Sequence, residues 1–135
     1  MKIREIITEG LKRDKAEQII DSFIRFASKE LELNELPEIN ILDDSQYSVE
    51  YRSFGGYSPS DKIINITVKN RHINDVLRTI AHEIVHYKQD INGELKPDSG
   101  RDGSPEENEA NARAAVTMRK WGKLHPELFG RPAVE

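Results

Sequence analysis

The stretch "TIAHEIVHYKQ", Thr79 to Gln89, places two histidines four residues apart with a glutamate beside the first. Ile73, Leu77, Ile80, Ile84 and Ile91 recur around it at helical spacing, which predicts a helix over about 72–92. Immediately before it, "KIINITVK" (62–69) alternates Ile64, Ile66 and Val68 against Ile63, Asn65 and Thr67, the period of a strand. On such a helix His82 and His86 project within about 40° of each other, one turn apart. The Ile73–Ile80–Ile84 stripe lies on roughly the opposite side, so core and histidines do not compete for one face.

Working outward, two more strand-like segments precede the first: "EINILDD" (38–44) and "QYSVEYR" (46–52). Together the three predict a small, mainly antiparallel sheet. Between the last two lies "SFGGYSPSD", whose glycines and Pro59 mark a turn or irregular loop. Nearer the start, Asp14-Lys15-Ala16-Glu17 reads as a capping box, with Ile19, Ile20, Phe23, Ile24, Ala27 and Leu31 following at helical spacing. That predicts a long helix over 12–33, ended by Pro37. Ile3, Ile6 and Ile7 suggest a short helix closed by Gly10.

Beyond the central helix, "NGELKPDSGRDGSP" is a polar, breaker-rich connection expected to be mobile. Ser104, Pro105 and Glu107 match the N-cap, N1 and N3 positions of a last helix, running to Trp121 and closed by Gly122. Leu124, Pro126, Leu128 and Phe129 then suit one helical turn. The sum is an α+β fold in a single domain, 1–135.

Composition bounds the function. A chain of 135 residues supports one core, and 33% charged with 36% apolar content is that of a globular protein. No apolar run is long enough to span a membrane. "MKIREIITEG" lacks an apolar signal core, so a cytoplasmic location is expected. With no cysteine, any metal must be held by His, Asp or Glu. The net charge of −4 argues against a general nucleic-acid binder.

Two of the chain's four histidines fall in the opening stretch, in the pattern H-E-x-x-H. Both rings reach one tetrahedral ion, while Glu83, about 100° from His82, stands beside it and can hold a water. The plainer alternative is a set of solvated polar residues on an amphipathic helix. A catalytic zinc takes three protein ligands and keeps one position open. A third histidine at position 92 with a glycine at 89 would make the metzincin pattern, but the chain has Asn92 and Gln89, which excludes it. A glutamate on the last helix remains, and "SPEENEANARAA" offers Glu106, Glu107 and Glu109. Glu107 fits best, because Ala110, Asn111, Ala114, Met118 and Trp121 share its face, whereas Glu109 lies about 200° away. Asn111 would take a hydrogen bond from a ligand histidine. A purely structural alternative for Glu107 is the capping box with Ser104.

"AHEIVHYKQ" followed by "EENEANARAA" resembles the glutamate-zincins, the clan typified by thermolysin, and more closely small phage-encoded metallopeptidases and compact regulatory zincins. The resemblance spans Phe54 to Ala115. It implies a zinc metalloendopeptidase with His82, His86 and Glu107 as zinc ligands and Glu83 as catalytic base on the zinc-bound water. It also implies a peptide or protein substrate, its own 92–105 loop included, paired along an edge strand, here Ile63–Val68. A phage-encoded protein would act in the bacterial cytoplasm.

An oxyanion donor besides the metal is required. Tyr57, His72, Tyr87 and His125 are the options, Tyr57 first because its glycine-flanked loop can fold over the cleft. Two other functions compete: a non-catalytic zinc- or partner-binding module, and a DNA-associated regulator. For the latter, "KNRH" (69–72) is the only basic cluster near the motif.

Overall fold

The structure, a computed structural model, describes residues 12–42 and 55–128. Its elements are helix α1 (Arg13–Glu30), strands β1 (Glu38–Leu42), β2 (Gly55–Ser58) and β3 (Ile63–Thr67), then helices α2 (Ile73–Ile91) and α3 (Pro105–Leu124). The α+β architecture is as expected. The short helix near Ile3 and the strand over 46–52 lie outside the described residues.

α1 turns Ala16, Ile20, Phe23 and Ala27 into the core. The capping box does not form. Lys12 occupies the cap position and its side chain does not cap the helix, while Asp14 already lies inside the first turn, where its carboxylate still favours the positive helix end. The helix also stops before Pro37. Glu32 takes a left-handed φ of 57°, and the N–H groups of Glu32 and Leu33 return to the carbonyls of Lys29 and Ser28. That bond pair is a Schellman stop, and it needs no proline.

The sheet order is β1-β3-β2. β3 pairs parallel to β1, from Glu38 opposite Ile63 to Leu42 opposite Thr67, and antiparallel to β2, from Gly55 opposite Ile66 to Ser58 opposite Ile63. The sheet is therefore mixed, and the expectation of a mainly antiparallel one is refined. β2 forms from the Gly-Gly-Tyr segment that reads as loop by composition, because pairing to β3 overrides weak strand propensity. Gly55 permits a close approach. A Cβ there would come within 2.8 Å of Ile66 Cδ1 and 2.9 Å of Thr79 Cγ2, so glycine lets β2 close onto α2.

α2 is the central element, with Ile73, Val76, Leu77, Ile80, Ala81, Ile84 and Val85 buried against the sheet, α1 and α3. Ile91 departs from the expected stripe and is 48% exposed, because the last turn of α2 runs past the core. His72 caps the helix through Nδ1, which accepts from the Asn74 N–H. At the other end Gly93, at φ 73°, supplies a second Schellman stop, with Glu94 N–H bonded to the Gln89 carbonyl.

α3 starts as predicted, with Ser104 Oγ accepting the Glu107 N–H at 3.0 Å and Pro105 at its first position. It does not stop at Gly122 but continues to Leu124. Glycine inside a helix costs only about 1 kcal/mol, and the last turn is held by Trp121, whose ring meets Phe23 edge-on and stacks on His125. A single 3-10 turn, Pro126–Leu128, follows and buries Leu128. Among the described residues no helix is long and apolar enough to cross a membrane.

Candidate metal centre

α2 and α3 pack side by side, and the histidines of the opening stretch face the first turns of α3. His82 Nε2 and His86 Nε2 lie 3.2 Å apart. Glu107 spans them, with Oε1 2.8 Å from His82 Nε2 and Oε2 2.9 Å from His86 Nε2. Zinc–ligand bonds of roughly 2.0–2.1 Å put tetrahedral ligand atoms about 3.3 Å apart. The three side chains thus offer two imidazole nitrogens and a carboxylate at separations a few tenths of an ångström from those a tetrahedral ion imposes. His82, His86 and Glu107 are the group among the described residues with metal-holding geometry.

The start of α3 explains why Glu107 is the glutamate that arrives. Ser104 and Pro105 fix where the helix begins, which sets Glu107 one turn in, with its N–H on the cap. Its carboxylate does not complete a capping box. It reaches the histidines instead, so one residue serves the cap by its backbone and the cluster by its side chain. Glu109 is turned away, accepting from Gln89 Nε2 at 2.7 Å and facing Arg113. Glu106 contributes only its carbonyl, also to Gln89, at 3.0 Å.

Asn111 hydrogen-bonds His82 as the helical spacing suggested. Burial pulls the His82 pKa down against the pull of Glu107, which favours the neutral, ligating form of the ring. The partner of His86 is Gln89, whose Oε1 lies 2.7 Å from His86 Nδ1. In the sequence, Gln89 marks only a departure from the metzincin pattern. The readable signal was a glutamine three residues after a motif histidine, on the same helical face.

Glu83 is 8% exposed and lines a cavity of about 410 Å³ together with His82, His86 and Glu107. Its Oε1 stands 4.0 Å from His82 Nε2, beside the cluster rather than within it. Burial pushes its pKa up to about 7, helped by Glu107 and opposed by His86. Such a carboxyl exchanges protons near neutrality.

Gly56 and Tyr57 of β2 form one wall of the cavity. The Tyr57 hydroxyl donates to Asp90 Oδ2 at 2.5 Å, and Lys62 Nζ meets the same oxygen at 3.0 Å. Burial and Asp90 together raise the Tyr57 pKa, so its proton is held firmly there. Of the other donors considered, Tyr87 packs edge-on against Tyr57, His72 caps α2 and His125 stacks on Trp121. None of these three lines the cavity.

The strand beside the site is also different from the expected one. Ile63–Val68 contributes the central strand, paired on both sides, so it has no free edge for a peptide. Among the described residues the margin next to the cluster belongs to β2. The opposite wall comes from the 92–105 connection through Leu95, Lys96, Pro97, Ser99 and Gly100. Expected to be mobile, it is tied at its middle. Ser99 is buried, accepts the Lys96 N–H at 2.8 Å and receives the Ser104 hydroxyl on its carbonyl at 2.6 Å.

No protein-family model, no curated protein and no solved structure matches this chain.

Proposed function

We propose that this protein is a zinc-dependent peptidase of the glutamate-zincin kind, with His82, His86 and Glu107 holding the metal and Glu83 as the proton-transfer group. The observation that carries the reading is the convergence of His82 Nε2, His86 Nε2 and the Glu107 carboxylate within 3.2 Å, with a buried fourth group, Glu83, facing the same cavity. When bound, a zinc ion would supply Lewis acidity and make a water more acidic. Glu83 takes a proton at its carboxylate and returns it to the departing amine, and a group poised near pH 7 suits both transfers. An extended peptide lies along β2, whose backbone at Gly56 and Tyr57 offers pairing without sequence choice. The 95–100 segment covers it from the other side.

A second reading is a metal-holding module that binds a partner without cleaving it. The engagement of the Tyr57 hydroxyl by Asp90 favours it, because the oxyanion then loses Tyr57 as a donor in this arrangement. The test is hydrolysis of unfolded protein substrates over long incubation. The peptidase reading expects cleavage that a chelator abolishes and zinc restores. Tight peptide binding with no cleavage in zinc would favour the module.

A further inference from the structure

We infer that Gln89 is the positioning residue of this centre: it fixes which nitrogen of His86 is left free for a metal and ties that choice to α3. The inference rests on the metal reading above, and extends it to a residue outside the ligand set.

A glutamine amide has two N–H donors and one carbonyl acceptor. Both donors of Gln89 are spent on α3, on the Glu106 carbonyl at 3.0 Å and Glu109 Oε1 at 2.7 Å. Neither partner can donate in return when Glu109 is ionised. Flipping the amide would press its oxygen against two acceptors, so the orientation follows from the network. The Gln89 oxygen therefore faces His86 Nδ1, 2.7 Å away, and the hydrogen between them must sit on Nδ1. A neutral imidazole carries a single N–H. With Nδ1 protonated, Nε2, the atom that meets His82 and Glu107, is the nitrogen left to offer a lone pair once an ion replaces the proton it shares with the Glu107 carboxylate.

The same side chain couples the two helices. Gln89 is 1% exposed, and its amide is satisfied on all three sides, which offsets the cost of burying it. Its donors grip the first turn of α3, the turn that carries Glu107. Removing the amide frees the His86 tautomer and loosens the spacing of the third ligand together. A hydrophobic residue at 89 could pack the helices as well but could do neither of these things. Groups that orient ligand histidines in this way are generally worth about 10–100-fold in metal affinity.

The experiment uses the full chain and zinc alone. Two-bond nitrogen–proton correlations on metal-free protein report which His86 nitrogen is protonated, and competition with a chromophoric chelator reports zinc affinity. Wild type should show His86 protonated on Nδ1. Gln89→Leu should lose that preference and bind zinc about 10–100-fold more weakly. The paired variant Gln89→Glu with Glu109→Gln restores the bond to residue 109 and still accepts from Nδ1, but it sets a carboxylate oxygen against the Glu106 carbonyl. It should recover the Nδ1 proton and part of the affinity, which a merely space-filling role would not predict. It also keeps the inference testable if Gln89→Leu fails to fold. Metal-free wild type with His86 Nδ1 unprotonated would overturn the inference. So would Gln89→Leu binding zinc as tightly as wild type, a result that leaves the metal reading standing. Wild type that takes up no zinc would instead bring down the metal reading, and the positioning role with it.

Discussion

His86 Nε2 and Glu107 Oε2 lie 2.9 Å apart across the α2–α3 interface although 21 residues separate them in sequence. Because the ligands come from two helices, the ion would bind the folded chain and not the unfolded one, so its binding energy adds to fold stability. Zinc at a hundredfold excess over its dissociation constant should raise the unfolding free energy by about 2.7 kcal/mol. Thermal unfolding in zinc and in chelator measures this. The difference should vanish in His82→Ala, and protein purified without chelator should hold close to one zinc per chain.

The two glutamates of α3 should separate cleanly. Glu107→Ala removes a proposed ligand and should weaken zinc binding at least tenfold, in line with loss of a direct contact at the metal. Glu109→Ala removes only one acceptor of the Gln89 amide, which keeps its bond to the Glu106 carbonyl, so the loss should be much smaller. Zinc titration of both variants decides. If Glu109→Ala costs the more, the ligand set is wrong.

Gly55→Ala tests how tightly β2 is seated on α2. The added carbon would meet the tips of Ile66 and Thr79 below 3 Å, with the Asn65 carbonyl at 3.1 Å behind them. Overpacking of this kind costs about 1–3 kcal/mol. Urea unfolding of metal-free protein should show that loss, and an unchanged midpoint would mean β2 can move freely.

Asp90 sets a pH dependence away from the metal ligands. Its burial favours the neutral acid, but the Tyr57 hydroxyl and Lys62 outweigh this and hold its pKa below the usual carboxylate value. A folded pKa below the unfolded one contributes stability above the unfolded value of about 3.9, lost as pH falls through the folded pKa. Wild type should therefore be more stable than Asp90→Asn at neutral pH, and the gap should close on acidification below about pH 4. Parallel stability–pH curves for the two would contradict it.

What the sequence reveals and hides follows from the range of the interactions. The spacing of His82 and His86, the Ser104 cap and the Glu107 face are all set within a turn or two of helix, so they read directly. The packing of α3 on α2 is long-range, and helical spacing only ranked Glu107 above Glu109. Strand β2 was hidden because its Gly-Gly-Tyr segment becomes a strand only by pairing with β3. That pairing also made Ile63–Thr67 central and moved the sheet margin to β2. Gln89 escaped notice because its role depends on Glu106 and Glu109, on another helix. Ile91 failed for the opposite reason: its periodicity was right, but the core ended before it.

The central claim is that Glu83 moves protons at a metal held by His82, His86 and Glu107. Glu83→Gln keeps the side chain's size and removes its ability to take a proton. The most direct measurement compares zinc content and peptide hydrolysis of this variant with wild type, in one preparation and one assay. The account predicts equal zinc, equal peptide binding and turnover lower by about a hundredfold or more. Equal hydrolysis by wild type and Glu83→Gln would contradict it.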